Sequence, residues 1–231
     1  MNDMSNPARR TASGEPAINA PWSVAALIVI LIAAHAARVF TGGDIDRFAL
    51  TASDLAAGRL GGLVTYQFVH GSWAHVLMNS AFVLAFGAPV ARFLGGKARG
   101  SMVFFLFFIA CGVAAATAYG GLETILATVS PVHPGWALVG ASGAASGLMG
   151  AAARLIQGRG RLGSIMGRTV VGMGVGWITV NALLGLSGLT PGAAGAPVAW
   201  EAHIFGFFAG LLLIGPTEWL AGVKADHEIA R

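Results

Sequence analysis

Three short strings place polar side chains inside stretches that are otherwise apolar, and polar groups in such stretches are costly enough to mark function. The first is His75-Val-Leu-Met-Asn79, whose i, i+4 spacing puts both polar groups on one helix face. The second is Gly140-Ala-Ser-Gly143, at the start of a small-residue run. The third is Ala202-His203-Ile-Phe-Gly206-Phe-Phe-Ala-Gly210, where His203, Gly206 and Gly210 form a stripe at i, i+3, i+7. Glycines on such a stripe remove the side chains that would hold a neighbouring helix away. A serine at a helix start meets free N–H groups and the positive end of the helix dipole, so an anion forming there is stabilised. A histidine on a closely packed helix takes the serine proton, and a histidine with an asparagine on a third helix donate hydrogen bonds at the same depth. The set is therefore Ser142 as nucleophile, His203 as general base, and Asn79 with His75 as an oxyanion hole. No acidic residue is placed to orient the base, so the expectation is a Ser-His dyad.

The elements that carry these strings are membrane helices. Of 231 residues, 55% are apolar and 10% are charged, with Gly and Ala abundant inside the apolar runs. That is more apolar surface than a soluble core of this size requires, and small residues suit helices packed in lipid. The net charge of +4 does not point to nucleic acid, because Lys and Arg sit in short clusters between apolar runs. Six runs approach the length of about 20 residues that spans a bilayer: 21–40, 75–94, 102–119, a short 142–155, 169–186 and 203–220. They predict an all-α membrane protein, a six-helix bundle over 21–222 flanked by a disordered tail at 1–20 and a short tail at 223–231. A signal peptide reading of Arg9, Arg10 and Ala34-His35-Ala36 is set aside, because the tail before the run is long and removal would leave an odd helix count.

Charge sets the orientation. Positive residues collect in the tails (Arg9, Arg10, Lys224, Arg231), the second connection (Arg92, Lys97, Arg99) and the fourth (Arg154, Arg159, Arg161, Arg168). The third and fifth connections carry none, so both termini are expected on the cytoplasmic side, in a bacterial inner membrane. The second, fourth and sixth helices then all begin at the outer side, which puts the three polar strings at similar depth. The first connection, 41–74, is too long for a turn and mixes charge with Leu60, Leu63 and Phe68, so it is expected to embed partly in the membrane.

The string His70-Gly-Ser-Trp-Ala-His75-Val-Leu-Met-Asn79, followed by Phe86-Gly87 and Gly95, resembles the second-helix signature of rhomboid intramembrane serine proteases. Gly140-Ala-Ser-Gly143 with Gly147 resembles their nucleophile motif, and Ala202-His203-x-x-Gly206-x-x-x-Gly210 their base-bearing helix. The three occur in family order and cover most of residues 59–215. The resemblance implies a rhomboid-like bundle that cleaves transmembrane protein substrates near the outer face of the lipid bilayer, without metal or cofactor. It implies Ser142 as nucleophile, His203 as base, and Asn79 and His75 as oxyanion donors beside the Ser142 N–H, with hydrolytic water delivered through a cavity open to the outside. The chain departs from the family in three places. Four residues after the nucleophile, where the family has an aromatic that stacks on the histidine, stands Ser146. Arg59-Leu-Gly-Gly62 stands near the place of a Trp-Arg pair, and Ala91 or Arg92 near that of a glutamate.

Ser142 and Ser146 lie one helical turn apart, each followed by glycine, so either could meet the base. Ser142 is chosen because it lies nearer the free N–H groups and follows Gly140; Ser146 is expected to take the aromatic's place and hydrogen-bond the imidazole. His35 and His70 read as structural, His133 as loop surface, His227 as a tail residue, Cys111 as a packed thiol, and Arg154–Arg168 as topology signals. Two other classes compete with a protease. One is an inactive rhomboid relative that binds membrane clients, disfavoured because both serine and histidine are retained. The other is a small-solute transporter, disfavoured because no inverted repeat is visible.

Overall fold

The computed structural model describes residues 20–130, 136–188 and 198–223. The tails expected at 1–20 and 223–231 lie outside these residues except for Ala20 and Val223, as does His133. The elements run in the order α1 (Trp22–Thr41), β1 (Leu50–Thr51), α2 (Ala52–Ala56), α3 (Gly62–Thr65), a 3-10 turn (Tyr66–Phe68), α4 (Trp73–Leu94), α5 (Ala98–Val129), β2 (Ala137–Leu138), α6 (Ser142–Gln157), α7 (Arg168–Ser187) and α8 (Trp200–Ala221). The chain folds as an all-α membrane bundle. Five helices, α1, α4, α5, α7 and α8, are long and apolar enough to cross a membrane. The fourth apolar run becomes α6, whose 16 residues span only about 24 Å against a hydrocarbon core of about 30 Å.

That short helix is the hub. Gly143 through Leu148 are buried without a break, and α4, α5, α7 and α8 all pack on it. An unbroken buried run has no polar face to spare, which is why Ala and Gly dominate it. The contact with α8 is made backbone to backbone. A methyl group on Gly206 would collide with the Gly143 carbonyl, one on Gly210 with the Gly147 carbonyl, and one on Gly150 with the Phe207 carbonyl. Lipid gives little hydrophobic drive between helices, so this closeness supplies dispersion contacts instead. On the other side of α6, Leu148 joins Phe104, Phe107, Phe108, Val83 and Val76 in a fully buried core. Cys111 is buried there, its Cβ 2.5 Å from where a Gly147 methyl would sit.

Two expectations are corrected. The third run, expected over 102–119, is a 32-residue helix from Ala98 to Val129. It continues through Gly120 because the first and third connections pack on its outer end. A methyl on Gly120 would lie 2.7 Å from Leu55 and 3.2 Å from Trp136, and Tyr119 meets Trp136 edge-on at 5.3 Å. The sixth run begins at Trp200, so His203 lies in the first turn of α8 and does not head it.

The first connection is built rather than loose. Thr51 and Asp54 form a reciprocal capping box at the start of α2. Arg59 adds an ion pair to Asp54 at 2.8 Å, although an exposed pair of this kind contributes little to stability. β1 then pairs antiparallel with β2, Leu50 opposite Leu138 and Thr51 opposite Ala137. Ala52 N–H also donates to the Trp136 carbonyl at 3.3 Å. The segment leading into α6 is thereby tied to the segment leading into α4.

Candidate active site

The approach to α6 is set by glycine geometry and by a histidine. Gly140 has φ +104°, a region that L side chains rarely adopt. A methyl there would also strike the His75 imidazole at 2.6 Å and approach Asn79 Nδ2 at 3.4 Å. Gly140 N–H donates to the Tyr66 carbonyl at 2.8 Å, and Tyr66 in turn donates its hydroxyl to the Gly112 carbonyl at 2.8 Å. Ala141 N–H donates to His70 Nε2 at 3.3 Å. A ring nitrogen accepts only when unprotonated. Burial first, then the neighbouring charges of His75 and His35, pushes His70 down to about 3, which keeps that lone pair available. Arg38, near the end of α1, holds the same loop by donating to the His70 carbonyl at 3.1 Å.

These ties deliver Ser142 as the first residue of α6. Its hydroxyl lies 2.8 Å from His203 Nε2. The glycine stripe below His203 permits this reach, because Gly206 and Gly210 let α8 close on α6. Ser142 and His203, 61 residues apart in sequence, are therefore brought into hydrogen-bonding contact.

Asn79 and His75 enter from α4. Ser72 caps that helix by accepting the His75 N–H at 3.1 Å, which sets the phase of its first turn. Asn79 is 6% exposed, and its Nδ2 is buried without a partner among the described residues. An unused buried donor is costly and rare. Asn79 also borders a cavity of about 250 Å³ that Ser142, His203 and Asn181 line. Met78 and Phe82 of α4 face Trp177, Val180 and Leu184 of α7 across that cavity, so its walls are apolar around a few converging polar groups.

Ser146 does not do what the sequence suggested. Its hydroxyl donates to the Ser142 carbonyl at 2.7 Å, one turn back in the same helix, and not to the imidazole. A buried serine within a helix satisfies its hydroxyl most directly on the i−4 carbonyl, and Ser146 is 1% exposed.

Sequence reasoning also missed two residues, both on α7. Asn181 places Oδ1 2.6 Å from His203 Nδ1, while its Nδ2 donates to the Trp177 carbonyl at 2.9 Å. The Trp177 ring lies 6.2 Å from the imidazole, tilted by 34°, and its Nε1 donates to the His203 carbonyl at 3.4 Å. The His203 imidazole thus has a side-chain partner, an amide rather than the acid that was sought. The available signal was a lone asparagine within an apolar run, at i, i+4 from a tryptophan.

The histidines read as structural behave differently from these. His35 is 1% exposed in α1, and its ring stands edge-on to Trp73 at 4.7 Å. His70 supports the backbone before the serine, as above.

Comparison with known proteins accords with this arrangement. The family model described as the Rhomboid domain matches residues 57–217, more than two thirds of the chain, a range that includes His75, Asn79, Ser142, Asn181 and His203. No curated protein gave a significant match. The chain belongs to the rhomboid family and is an integral membrane protein.

Proposed function

We propose that the protein is an intramembrane serine endopeptidase that hydrolyses peptide bonds in or near the transmembrane segments of membrane-protein substrates. The observation that carries this reading is the 2.8 Å approach of Ser142 Oγ to His203 Nε2, at a cavity that Asn79, whose buried amide nitrogen has no partner among the described residues, also lines. In this mechanism His203 Nε2 removes the Ser142 proton as Oγ attacks the scissile carbonyl. The oxyanion that forms is held by Asn79 Nδ2, by the His75 imidazole and by the free N–H at the start of α6. His203 then gives its proton to the leaving amine, an acyl-enzyme remains on Ser142, and water attacks it with His203 again as base.

The short length of α6 and the charge pattern support a site below the outer face with both termini cytoplasmic; the proposal includes a bacterial inner membrane as its location. A catalytically inactive client-binding relative would not require the nucleophile and base to be in hydrogen-bonding contact. The test is labelling of the purified protein with a fluorophosphonate probe. Wild-type protein should label; Ser142→Ala and His203→Ala should not, although both remain folded by circular dichroism. Absence of wild-type labelling under conditions that label an active serine hydrolase would remove the protease reading.

A further inference from the structure

Among the buried polar residues of the described chain, Asn181 has no part in the mechanism above. It is 5% exposed, and it is one of only three buried residues of α7, the helix with the smallest share buried of the five candidate spans. An isolated asparagine in such a helix is expensive unless both ends of its amide are used. Both are used, and in only one way. Nδ2 donates to the Trp177 carbonyl, so the group facing His203 is Oδ1. A flipped amide would set its oxygen against that carbonyl and lose the bond. Oδ1 is purely an acceptor. His203 Nδ1, 2.6 Å away, must therefore carry the ring proton. Neutral imidazole has one N–H, so Nε2 is left with its lone pair directed at Ser142 Oγ, 2.8 Å away.

We propose that Asn181 is the positioning residue of the reaction: its amide oxygen selects the reactive tautomer of His203 and aims Nε2 at Ser142. Trp177, four residues earlier on the same face of α7, completes the support. Its ring lies against the imidazole, while the residue four places after the nucleophile, Ser146, is committed to the Ser142 carbonyl. The base on α8 is thus oriented from α7, by one hydrogen bond and one ring contact. The orienting group is neutral, so it fixes the ring without adding the electrostatic pull that a carboxylate exerts on an imidazolium.

This inference rests on His203 as the base, and it is tested in two ways that separate it from the protease reading. The first needs no turnover. In ¹⁵N-histidine-labelled Ser142→Ala protein in detergent, the His203 signal, identified by its loss in His203→Gln, should show a protonated Nδ1 with a slowly exchanging downfield proton and an unprotonated Nε2. Adding Asn181→Leu, of similar volume, should abolish that proton and mix the tautomers. The second is kinetic. Asn181→Leu should lower kcat on a transmembrane test substrate about 10–100-fold with KM changed less than about threefold. Asn181→Asp restores an acceptor and should recover at least a tenth of the wild-type rate, with the acid limb of the pH–rate profile moved to higher pH by the added charge. A residue that merely packs α7 would change neither tautomer nor pH profile. An unchanged Nδ1–H signal in Asn181→Leu, or wild-type turnover by that variant, overturns the proposal. So does an Asn181→Asp enzyme as slow as Asn181→Leu with its acid limb in place. The expected tautomer shift in a protein that fluorophosphonate never labels would uphold the positioning and reject the protease.

Discussion

Gly206→Ala is the sharpest single test of how Ser142 and His203 are held together. The added methyl would overlap the Gly143 carbonyl, a backbone atom that cannot rotate away, one residue from Ser142. Carbon and oxygen at rest lie about 3.5 Å apart, so α6 and α8 must separate by roughly 1 Å. Overpacking of this kind costs about 1–3 kcal/mol of stability. The same displacement stretches the contact between Ser142 and His203, now 2.8 Å, beyond hydrogen-bonding range. A misplacement of about 1 Å costs roughly 100-fold in rate. The matched control is Gly176→Ala on α7, where a methyl meets nothing within 4 Å and helix propensity alone gains about 0.5–1 kcal/mol. Turnover of a transmembrane test substrate and a thermal melt in detergent measure both. Gly206→Ala should be slowed about 100-fold and melt lower, while Gly176→Ala should turn over normally. A Gly206→Ala enzyme within threefold of wild type, with an unchanged melt, would refute the backbone-contact argument.

Three further outcomes follow from the site. Asn79→Ala should reduce turnover by about 10–1000-fold, the range for loss of an oxyanion donor, and His75→Ala should also slow it; wild-type rates in both would place the hole elsewhere. Ser146→Ala should cost about tenfold or less, because its hydroxyl serves only the i−4 carbonyl and a hydrogen bond of that kind contributes about 1 kcal/mol; a dead Ser146→Ala with active Ser142→Ala would exchange the two serines. Between pH 6.5 and about 3 the unfolded chain binds a proton that folded His70 refuses, so this residue makes stability fall as pH drops through that window. Melts at several pH values should therefore show a shallower acid slope for His70→Gln than for wild type, and parallel slopes would contradict it.

The candidate polar groups were legible in the sequence because each stood where a polar side chain is costly. His75 with Asn79, Ser142 and His203 interrupt apolar helices, and their glycines announce close backbones. Length was harder to see. The 120–129 stretch holds Gly120, Gly121 and Glu123, residues that end a span by composition, yet α5 continues because Leu55 and Trp136 pack on it. Strands of two residues have no periodicity to detect, so the pairing of Leu50 with Leu138 was invisible. Asn181 was overlooked because the search was for a charge, and a neutral amide in an apolar run looks like an ordinary helix residue. Ser146 was misassigned because an i−4 carbonyl of its own helix, always within reach, outcompeted a ring on another helix.

The tie between the first and third connections changes what it means for the backbone at Ser142 to be stable. Residues 138, 140 and 141 are bonded to residues 50, 66 and 70, so the amides of Gly140 and Ala141 should exchange with solvent in one shared opening event with the residues that clasp them. The last turn of chain before Ser142 cannot fray by itself, as short loops usually do. Its local free energy of opening is set by a segment some seventy residues earlier. A substitution in the first connection, far from any reacting atom, therefore reaches the serine as a change in the fraction of time that its backbone is in place.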